Sequence, residues 1–378
     1  MSAGARMKLL FLVKTLGPLG GRGGAERVLS EVASRLGARG HEIVLVTYDA
    51  PGEEEVYPFG PEIERIKLGI GASHRRSGVR DTLSRTRRIR ELIVGIRPDV
   101  AIGFMHSAYV PLGLALAGTG IPVVASEHIV YDHYKSRPLQ RAILLAVPPL
   151  LTVITAISEP VRRGFPWAIR RKMVIVPNPV APPPPLLADT AGGARKTLLT
   201  VGRLMDQKDH RTLIAAFAHV APKHPDWDLR IIGEGELRPK LEAQVKELGL
   251  EDRVQMPGIT TEIAREYAAA QLFVMSSKFE SFGLATAEAL SLGLPAVGYA
   301  DDAGTSVLVR DGLNGILVSG PDRVASLAGG LDRAMGSPEL RAQLAAEAPA
   351  TMRAYDPEII ATEWEKLLAS VHARGKSR

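Results

Sequence analysis

Phe279-Glu280-Ser281-Phe282-Gly283-Leu284-Ala285-Thr286-Ala287-Glu288-Ala289-Leu290 is the stretch whose reading decides how this chain folds. The apolar run Leu272-Phe273-Val274-Met275 before it reads as a buried strand. After it, Ser291-Leu292-Gly293-Leu294-Pro295 stops a helix ahead of the next strand. The two glutamates therefore straddle a strand-to-helix turn. In an open parallel sheet, ligands bind at such turns, outside the carboxyl ends of the strands. A helix that starts near Gly283 directs the N–H groups of Phe282, Gly283 and Leu284 outward, where they can hold a phosphate. Glu280 then precedes the helix and Glu288 lies one to two turns inside it. That spacing suits a ligand with hydroxyls at both ends and a diphosphate between them, as in a nucleotide sugar. The plainer reading of the same pattern is a helix N-terminus with acids that favour its dipole, worth about 0.3–1 kcal/mol each.

With 378 residues, the chain is too long for a typical single core and predicts two domains. Hydrophobic residues make up 46%, and the mean hydropathy of +0.05 fits a soluble globular protein. There is no cysteine, which excludes disulfides and thiolate metal sites and fits a reducing compartment. Met1 to Arg6 lacks the apolar core of a signal peptide. The charge-free apolar run Ala142 to Ile157 is broken by Pro148-Pro149 and is too short for a membrane span. The expected location is cytoplasmic, with peripheral contact on the inner face of the membrane as an option.

The net charge of +6, 47 basic against 41 acidic residues, is unevenly placed. From His74 to Arg90 run Arg75, Arg76, Arg80, Arg85, Arg87, Arg88 and Arg90 against one acid, Asp81, leading into a helix through Ile89, Leu92, Ile93 and Ile96. Such a segment can hold anionic lipid or a phosphate-bearing acceptor, or be a solvated arginine face. No aromatic stacking pattern accompanies it, so nucleic acid is not an expected partner.

Glu, seven residues, Glu, with Phe-Gly-Leu after the first Glu, resembles the signature of the retaining glycosyltransferases of family 4, which have the α/β GT-B fold of two Rossmann-like domains facing a cleft. The resemblance implies that Glu280 contacts the transferred sugar, Glu288 the ribose, and the amides of Phe282, Gly283 and Leu284 the diphosphate. It also implies a donor held mainly by the second domain and an acceptor by the first. Two further turns carry the same resemblance. Strand Thr197 to Val201 is followed by Gly202-Arg203-Leu204-Met205-Asp206-Gln207-Lys208, where Arg203 and Lys208 can converge on one diphosphate. In the family, the Arg and Lys of this motif bind it. Strand Leu229 to Ile232 ends in Gly233-Glu234-Gly235, and Pro257-Gly258 precedes Ile259. The resemblance puts Gly233, Gly235 and Ile259 beside the base, read by backbone, which leaves uracil and guanine unseparated.

The first half opens with strand Met7 to Val13, a long glycine loop, Gly17 to Gly24, and a helix through Val28, Leu29, Val32 and Leu36. A dinucleotide fingerprint would need a tighter turn, and Asp49 is the only ribose acid soon after the second strand, so nicotinamide binding is disfavoured. By resemblance, Gly23-Gly24-Ala25-Glu26 borders donor phosphate and acceptor, with Gly23 and Gly24 on the donor and Arg22 and Glu26 on the acceptor side. Strand Pro122 to Ala125 ends in Ser126-Glu127-His128. A lone histidine is more often structural, yet this one falls just past a strand end. Ser-Glu-His resembles the branch that extends sugars on polyprenyl-diphosphate carriers, whose His lies beside the transferred sugar. His106 and Tyr131 are further acceptor-side residues, with His133 nearby. Ser158-Glu159-Pro160 reads as a helix cap.

The expected domains are residues 1–180 and 197–356, joined by a linker over 181–196 marked by Pro182 to Pro185, with a final helix over 357–373 packing back on the first. The resulting expectation is a metal-independent retaining hexosyltransferase without cofactor, catalytic through His128, Glu280, Arg203 and Lys208. It takes a nucleotide sugar, UDP-linked by preference, and a glycan acceptor, lipid-linked by preference. A nucleotide-sugar epimerase of the same fold and a non-catalytic nucleotide-sugar-binding module are the alternatives.

Overall fold

A computed structural model of the chain describes residues 6–18, 23–70 and 79–376, with the side chains of 79–83 and 376 left undescribed. Arg22, with Gly20 and Gly21, and the start of the basic segment, His74 to Arg76, lie outside the described residues. The chain forms two units: Met1–Pro179 with Pro357–Arg378, and Val180–Asp356.

The first unit begins β1 (Lys8–Val13), α1 (Gly24–Ala38), β2 (Glu42–Thr47), β3 (Glu64–Lys67), α2 (Val79–Ile96), β4 (Val100–Phe104) and α3 (His106–Leu116). It continues β5 (Val123–Ser126), α4 (Pro138–Ala146), β6 (Val153–Ala156), α5 (Glu159–Gly164), α6 (Trp167–Arg170) and β7 (Met173–Ile175). The strands form one sheet in the order β3-β2-β1-β4-β5-β6-β7, and its pairings are parallel. Helices on both faces explain why the central strands read as unbroken apolar runs: Leu9 to Leu12 and Val100 to Ile102 are fully buried. Strand order reverses between β1 and β4. The crevice where ligands bind in such sheets therefore lies past the carboxyl ends of these two strands, where α1 and α3 begin.

The second unit runs β8 (Lys196–Val201), α7 (His210–Val220), β9 (Trp227–Ile232), α8 (Arg238–Glu247), β10 (Val254–Gly258), α9 (Ile263–Ala269) and β11 (Leu272–Met275). It ends α10 (Leu284–Ser291), β12 (Ala296–Tyr299), α11 (Thr305–Leu308), β13 (Gly315–Val318), α12 (Arg323–Gly336) and α13 (Pro338–Met352). Its sheet, β10-β9-β8-β11-β12-β13, is again parallel, with the reversal between β8 and β11. The Arg203 loop follows β8 and the Glu280 loop follows β11, so both leave from the switch point. Behind the sheet, the fully buried Arg341 stacks on Trp227 at 4.9 Å. It also donates to the carbonyls of Ala334 and Met335 at the end of α12. A buried cation persists there because orphan helix carbonyls receive it.

Residues 181–196 are not a free linker. The N–H of Ala188 donates to Leu292 O at 2.7 Å, that of Asp189 to Ala268 O at 3.1 Å, and Arg341 Nε to Thr190 O at 3.2 Å. The prolines only prevent strand pairing, while the residues after them bind the second unit. The chain returns to the first unit as α14 (Pro357–Lys376), longer at its end than the sequence pattern indicated. Trp364 and Leu368 of this helix are buried, and Arg39 at the end of α1 binds Glu358 and Glu365 at 2.7 and 2.9 Å.

Candidate active site

Glycine governs how the loops after β8 and β9 meet. A Cβ on Gly233 (φ +145°) would stand 2.0 Å from Gly202 O, and one on Gly235 2.4 Å from Leu204 O. Only glycine allows the turn after β9 to lie flat on the Arg203 loop. There Leu204 N–H donates to Glu234 O at 2.9 Å and Gly202 N–H to Ile232 O at 3.0 Å. Arg238 braces the same turn, donating to Gly233 O at 3.2 Å and Met256 O at 3.0 Å. The glycines thus serve the loop's own packing, whatever lies beside them. Ile259 is 66% exposed just past β10.

Lys208 and Glu280 come together. Lys208 Nζ stands 2.6 Å from Glu280 Oε1, which also accepts from Ser277 Oγ at 2.6 Å. Both side chains are largely buried, 16% and 9% exposed. Arg203, by contrast, is exposed. Helix α10 starts at Leu284 after Gly283, whose φ of +87° favours glycine, and the first N–H groups of the helix have no carbonyl four residues back within it. The ring of Phe282 is buried edge-on against Tyr355, centroids 5.3 Å apart. Glu288 lies within α10, where its carboxylate accepts from Tyr267 OH at 3.0 Å.

Asp302, after β12, escaped the sequence reading. It is buried, and its two carboxylate oxygens accept the backbone N–H of Glu280 and, at 3.0 Å, that of Thr305. Next to it, a Cβ on Gly304 would come within 2.7 Å of Glu280 Cβ and 2.8 Å of Phe282 N. The Asp302 to Thr305 turn therefore clamps the Glu280 turn from behind. Burial pushes the Asp302 carboxyl up to about 6. Ser277 and Arg323 were missed as well. Arg323 stacks on Tyr299 at 3.5 Å and donates to Ser277 O at 2.9 Å.

In the first unit, Gly23 and Gly24 open α1, and Glu26 is buried in its first turn. His106 opens α3 beside Tyr134, whose OH lies 3.2 Å from His106 Nδ1. Met105 before it has φ 65° and ψ 160°, a region that side chains rarely adopt. That strain, about 1–3 kcal/mol, is held by Met105 N–H donating to Ser126 O at 2.8 Å and by the first turn of α3 donating to Met105 O. Tyr131 packs on Phe165 at 5.5 Å. Glu127 is fully buried and accepts from Tyr109 OH at 2.6 Å, Tyr134 OH at 3.0 Å and Ile129 N–H at 2.9 Å. It anchors the turn that carries His128. The His128 ring lies 5.1 Å from Phe104, which stacks in turn on Trp364 at 6.1 Å, so the returning α14 supports it. Ser126 Oγ is 2.8 Å from His128 Nε2. Asp49 accepts from Leu16 N–H at 2.8 Å and is buried, which gives it a structural use.

Burial lowers His128 and His210 to about 4, and burial with the nearby charges of His133, Arg137 and Lys14 lowers His106 to about 4. These rings are neutral at pH 7. Since the unfolded chain protonates near 6.5 and the folded one near 4, their contribution to stability is complete above 6.5 and is lost as the pH falls toward 4. At pH 5, His128 and His210 should each cost about 2 kcal/mol. The raised Asp302 works in the opposite direction. Thermal unfolding is expected to show a lower midpoint at pH 5 than at pH 7, and an unchanged or higher one would contradict the neutral assignment.

Among the described residues, no group of three or more His, Asp or Glu is arranged to hold a metal ion, and no helix is long and apolar enough to cross a membrane.

Comparison with known proteins follows the same division of the chain. The family model described as Glycosyltransferase Family 4 matches residues 22–182, and that described as Glycosyl transferases group 1 matches residues 190–351. An uncharacterized glycosyltransferase of Haemophilus influenzae is 27% identical over 358 residues, 93% of this chain and 97% of the relative. A Campylobacter jejuni protein is 23% identical over 367 residues, 97% of this chain and 99% of its own. It is named GalNAc-alpha-(1->4)-GalNAc-alpha-(1->3)-diNAcBac-PP-undecaprenol alpha-1,4-N-acetyl-D-galactosaminyltransferase. Among solved structures, sucrose-phosphate synthase from Thermosynechococcus elongatus superposes with a TM-score of 0.81 at 19% identity, over 97% of this chain and 100% of that one.

Proposed function

Because the chain belongs to glycosyltransferase family 4 and is a glycosyltransferase of GT-B fold, we propose that it moves a hexose or N-acetylhexosamine from a UDP-sugar to a glycan carried on a polyprenyl diphosphate, with retained configuration. The observation that carries this reading is the Lys208–Glu280 pair, 2.6 Å apart at the switch point of the second sheet, with the α10 N-terminus next to Glu280. A cation, a carboxylate and free helix amides are the groups a sugar diphosphate needs.

Departure of the nucleoside diphosphate builds negative charge on the leaving group. Arg203, Lys208 and the amides at the start of α10 stabilise it, which supplies the charge a metal ion would otherwise bring. Glu280 steadies the transferred sugar, Glu288 holds the ribose hydroxyls, and the backbone at Gly233, Gly235 and Ile259 meets the base. Neutral His128 accepts or donates a hydrogen bond to the sugar without adding charge. The acceptor side is Glu26, His106 and Tyr131, with Arg22. Attack on the face that the diphosphate leaves, assisted by its own oxygen, retains the anomer. The lipid-linked acceptor finds support in the name of the Campylobacter jejuni relative. Assembly of a surface polysaccharide or glycoconjugate, by a cytoplasmic protein resting on the membrane, is the matching role.

The test is release of nucleoside diphosphate from UDP- and GDP-sugars, with and without polyprenyl-diphosphate saccharides and with EDTA present, in the wild type and in Glu288→Ala. Acceptor-dependent release that survives EDTA and collapses in the variant is expected. Epimerised donor without acceptor would instead identify an epimerase. Tight nucleotide binding with no turnover on any acceptor would indicate a binding module.

A further inference from the structure

Helix α4 is inside out. Leu144 is its one buried residue. On the opposite side, Leu139, Ala142, Ile143 and Ala146 follow at i, i+3, i+4 and i+7, and all four are exposed. Leu139 is 73% exposed and Ile143 41%. Single exposed leucines are ordinary on a protein surface, but a stripe at helical spacing with no polar residue in it is a patterned apolar face.

The neighbourhood enlarges it. The turn Tyr131–Tyr134 packs against both α4 and α5, and Tyr131 meets Phe165 at 5.5 Å. At the other end of α4, Lys172 Nζ donates to Pro148 O at 2.7 Å and Leu151 O at 2.6 Å. The segment Phe165 to Lys172 is thus tied beside both ends of α4, and it presents Trp167, 66% exposed, with Arg171 over its ring at 5.1 Å. From Tyr131 to Lys172 eight residues are Lys or Arg and two, Asp132 and Glu159, are acidic. Asp132 is paired with Lys135 at 2.9 Å, and Glu159 is bound to Arg162 and Arg163. An apolar stripe and an interfacial tryptophan rimmed by positive charge match an anionic lipid surface, which takes apolar side chains below its headgroups and attracts arginine and lysine.

We propose that α4 and the Trp167 segment dock the first unit on an anionic bilayer. The arginine-rich α2, the segment the sequence points to, is partly committed elsewhere. Arg90 donates to the carbonyls of Ala115 and Ala117 at the end of α3, and Arg87 pairs with Glu91 at 2.8 Å. Docking through α4 places the bilayer beside Tyr131 and Tyr134, and so deepens the lipid-linked acceptor reading on which that relevance rests.

The experiment is flotation of the full chain with phosphatidylglycerol–phosphatidylcholine vesicles or pure phosphatidylcholine, without sugar nucleotide or acceptor. Trp227 and Trp364 are buried, so Trp167 reports insertion as a blue-shifted emission. Binding to the anionic vesicles with a blue shift is expected, with Leu139→Glu/Ile143→Glu abolishing both and Arg137→Ala or Arg141→Ala each weakening partitioning roughly fivefold. Arg87→Ala/Arg88→Ala, on α2, should bind as the wild type does. Equal thermal midpoints show that the variants fold. No flotation of the wild type, flotation unaffected by the α4 substitutions, or loss confined to the α2 variant would overturn the proposal. Concentration-dependent self-association abolished by Leu139→Glu/Ile143→Glu, without flotation, would assign the face to a second copy. Because no transfer is measured, a negative result here is distinct from failure of the glycosyltransferase reading.

Discussion

Replacing Arg203 and Lys208 together by alanine is expected to lower the turnover of donor by about two to four orders of magnitude. Charge-assisted hydrogen bonds are worth about 1.5–3 kcal/mol each, and the proposed function sets both cations on a leaving diphosphate, where the charge grows in the transition state. The single variants should differ in a telling way. Arg203 is exposed, so Arg203→Ala should leave the thermal midpoint unchanged while weakening turnover. Lys208 is the 2.6 Å partner of a largely buried carboxylate. Lys208→Ala leaves Glu280 with Ser277 and a missing cation, so it should lower the midpoint as well, since breaking a buried pair from one side is costly. Steady-state kinetics and melting curves of the three variants decide it. Full activity in the double variant would remove both residues from the diphosphate site.

Asp302→Asn should cost about 10- to 100-fold in kcat with little change in donor affinity. The carboxylate accepts two backbone N–H groups, from Glu280 and Thr305. Asparagine has one oxygen and must turn its NH2 toward one of these donors, leaving a buried N–H unpaired at about 1–3 kcal/mol. The Glu280 turn then shifts, and a displacement near 1 Å at a reacting centre is enough for about 100-fold. A pH profile separates this from a general loss of structure. As the pH falls through about 6, wild-type Asp302 takes up a proton on the folded protein and loses one of its two acceptor contacts. The sign for stability is the reverse: a raised carboxyl favours the folded state below its folded pKa. The wild type should therefore show an acid limb in kcat near pH 6 that the asparagine variant lacks. An identical limb in both would assign it to another group.

The requirement for glycine at position 304 is not visible in its own neighbourhood. Its significance depends on Glu280 and Phe282, more than twenty residues earlier, with a Cβ distance of 2.7 Å that no local pattern encodes. Glu127 is similar. Ser126-Glu127-His128 drew attention to the histidine, while the acid between turned out to hold the turn through Tyr109 and Tyr134, which lie 18 and 7 residues away.

Local chemistry was enough to read most of the strands, the strand-end turns at Arg203 and Glu280, and the helix start at Gly283, while their assembly into two Rossmann-like units was implied by the family resemblance. Apolar runs, glycine, proline and capping residues act over a few positions, so their meaning is written in the sequence itself. The short β3, the α12 and α13 helices and the attachment of residues 188–190 were not read, because they depend on what packs against them. Tertiary structure alone decided that Lys208 rests on Glu280, that Asp302 clamps the Glu280 turn, and that Met105 is held in a strained conformation by Ser126. It decided α4 most clearly. Periodicity shows which residues share a face of a helix, but burial of Leu144 on one side is what turns Leu139 and Ile143 outward, and which face is covered is a property of the neighbours.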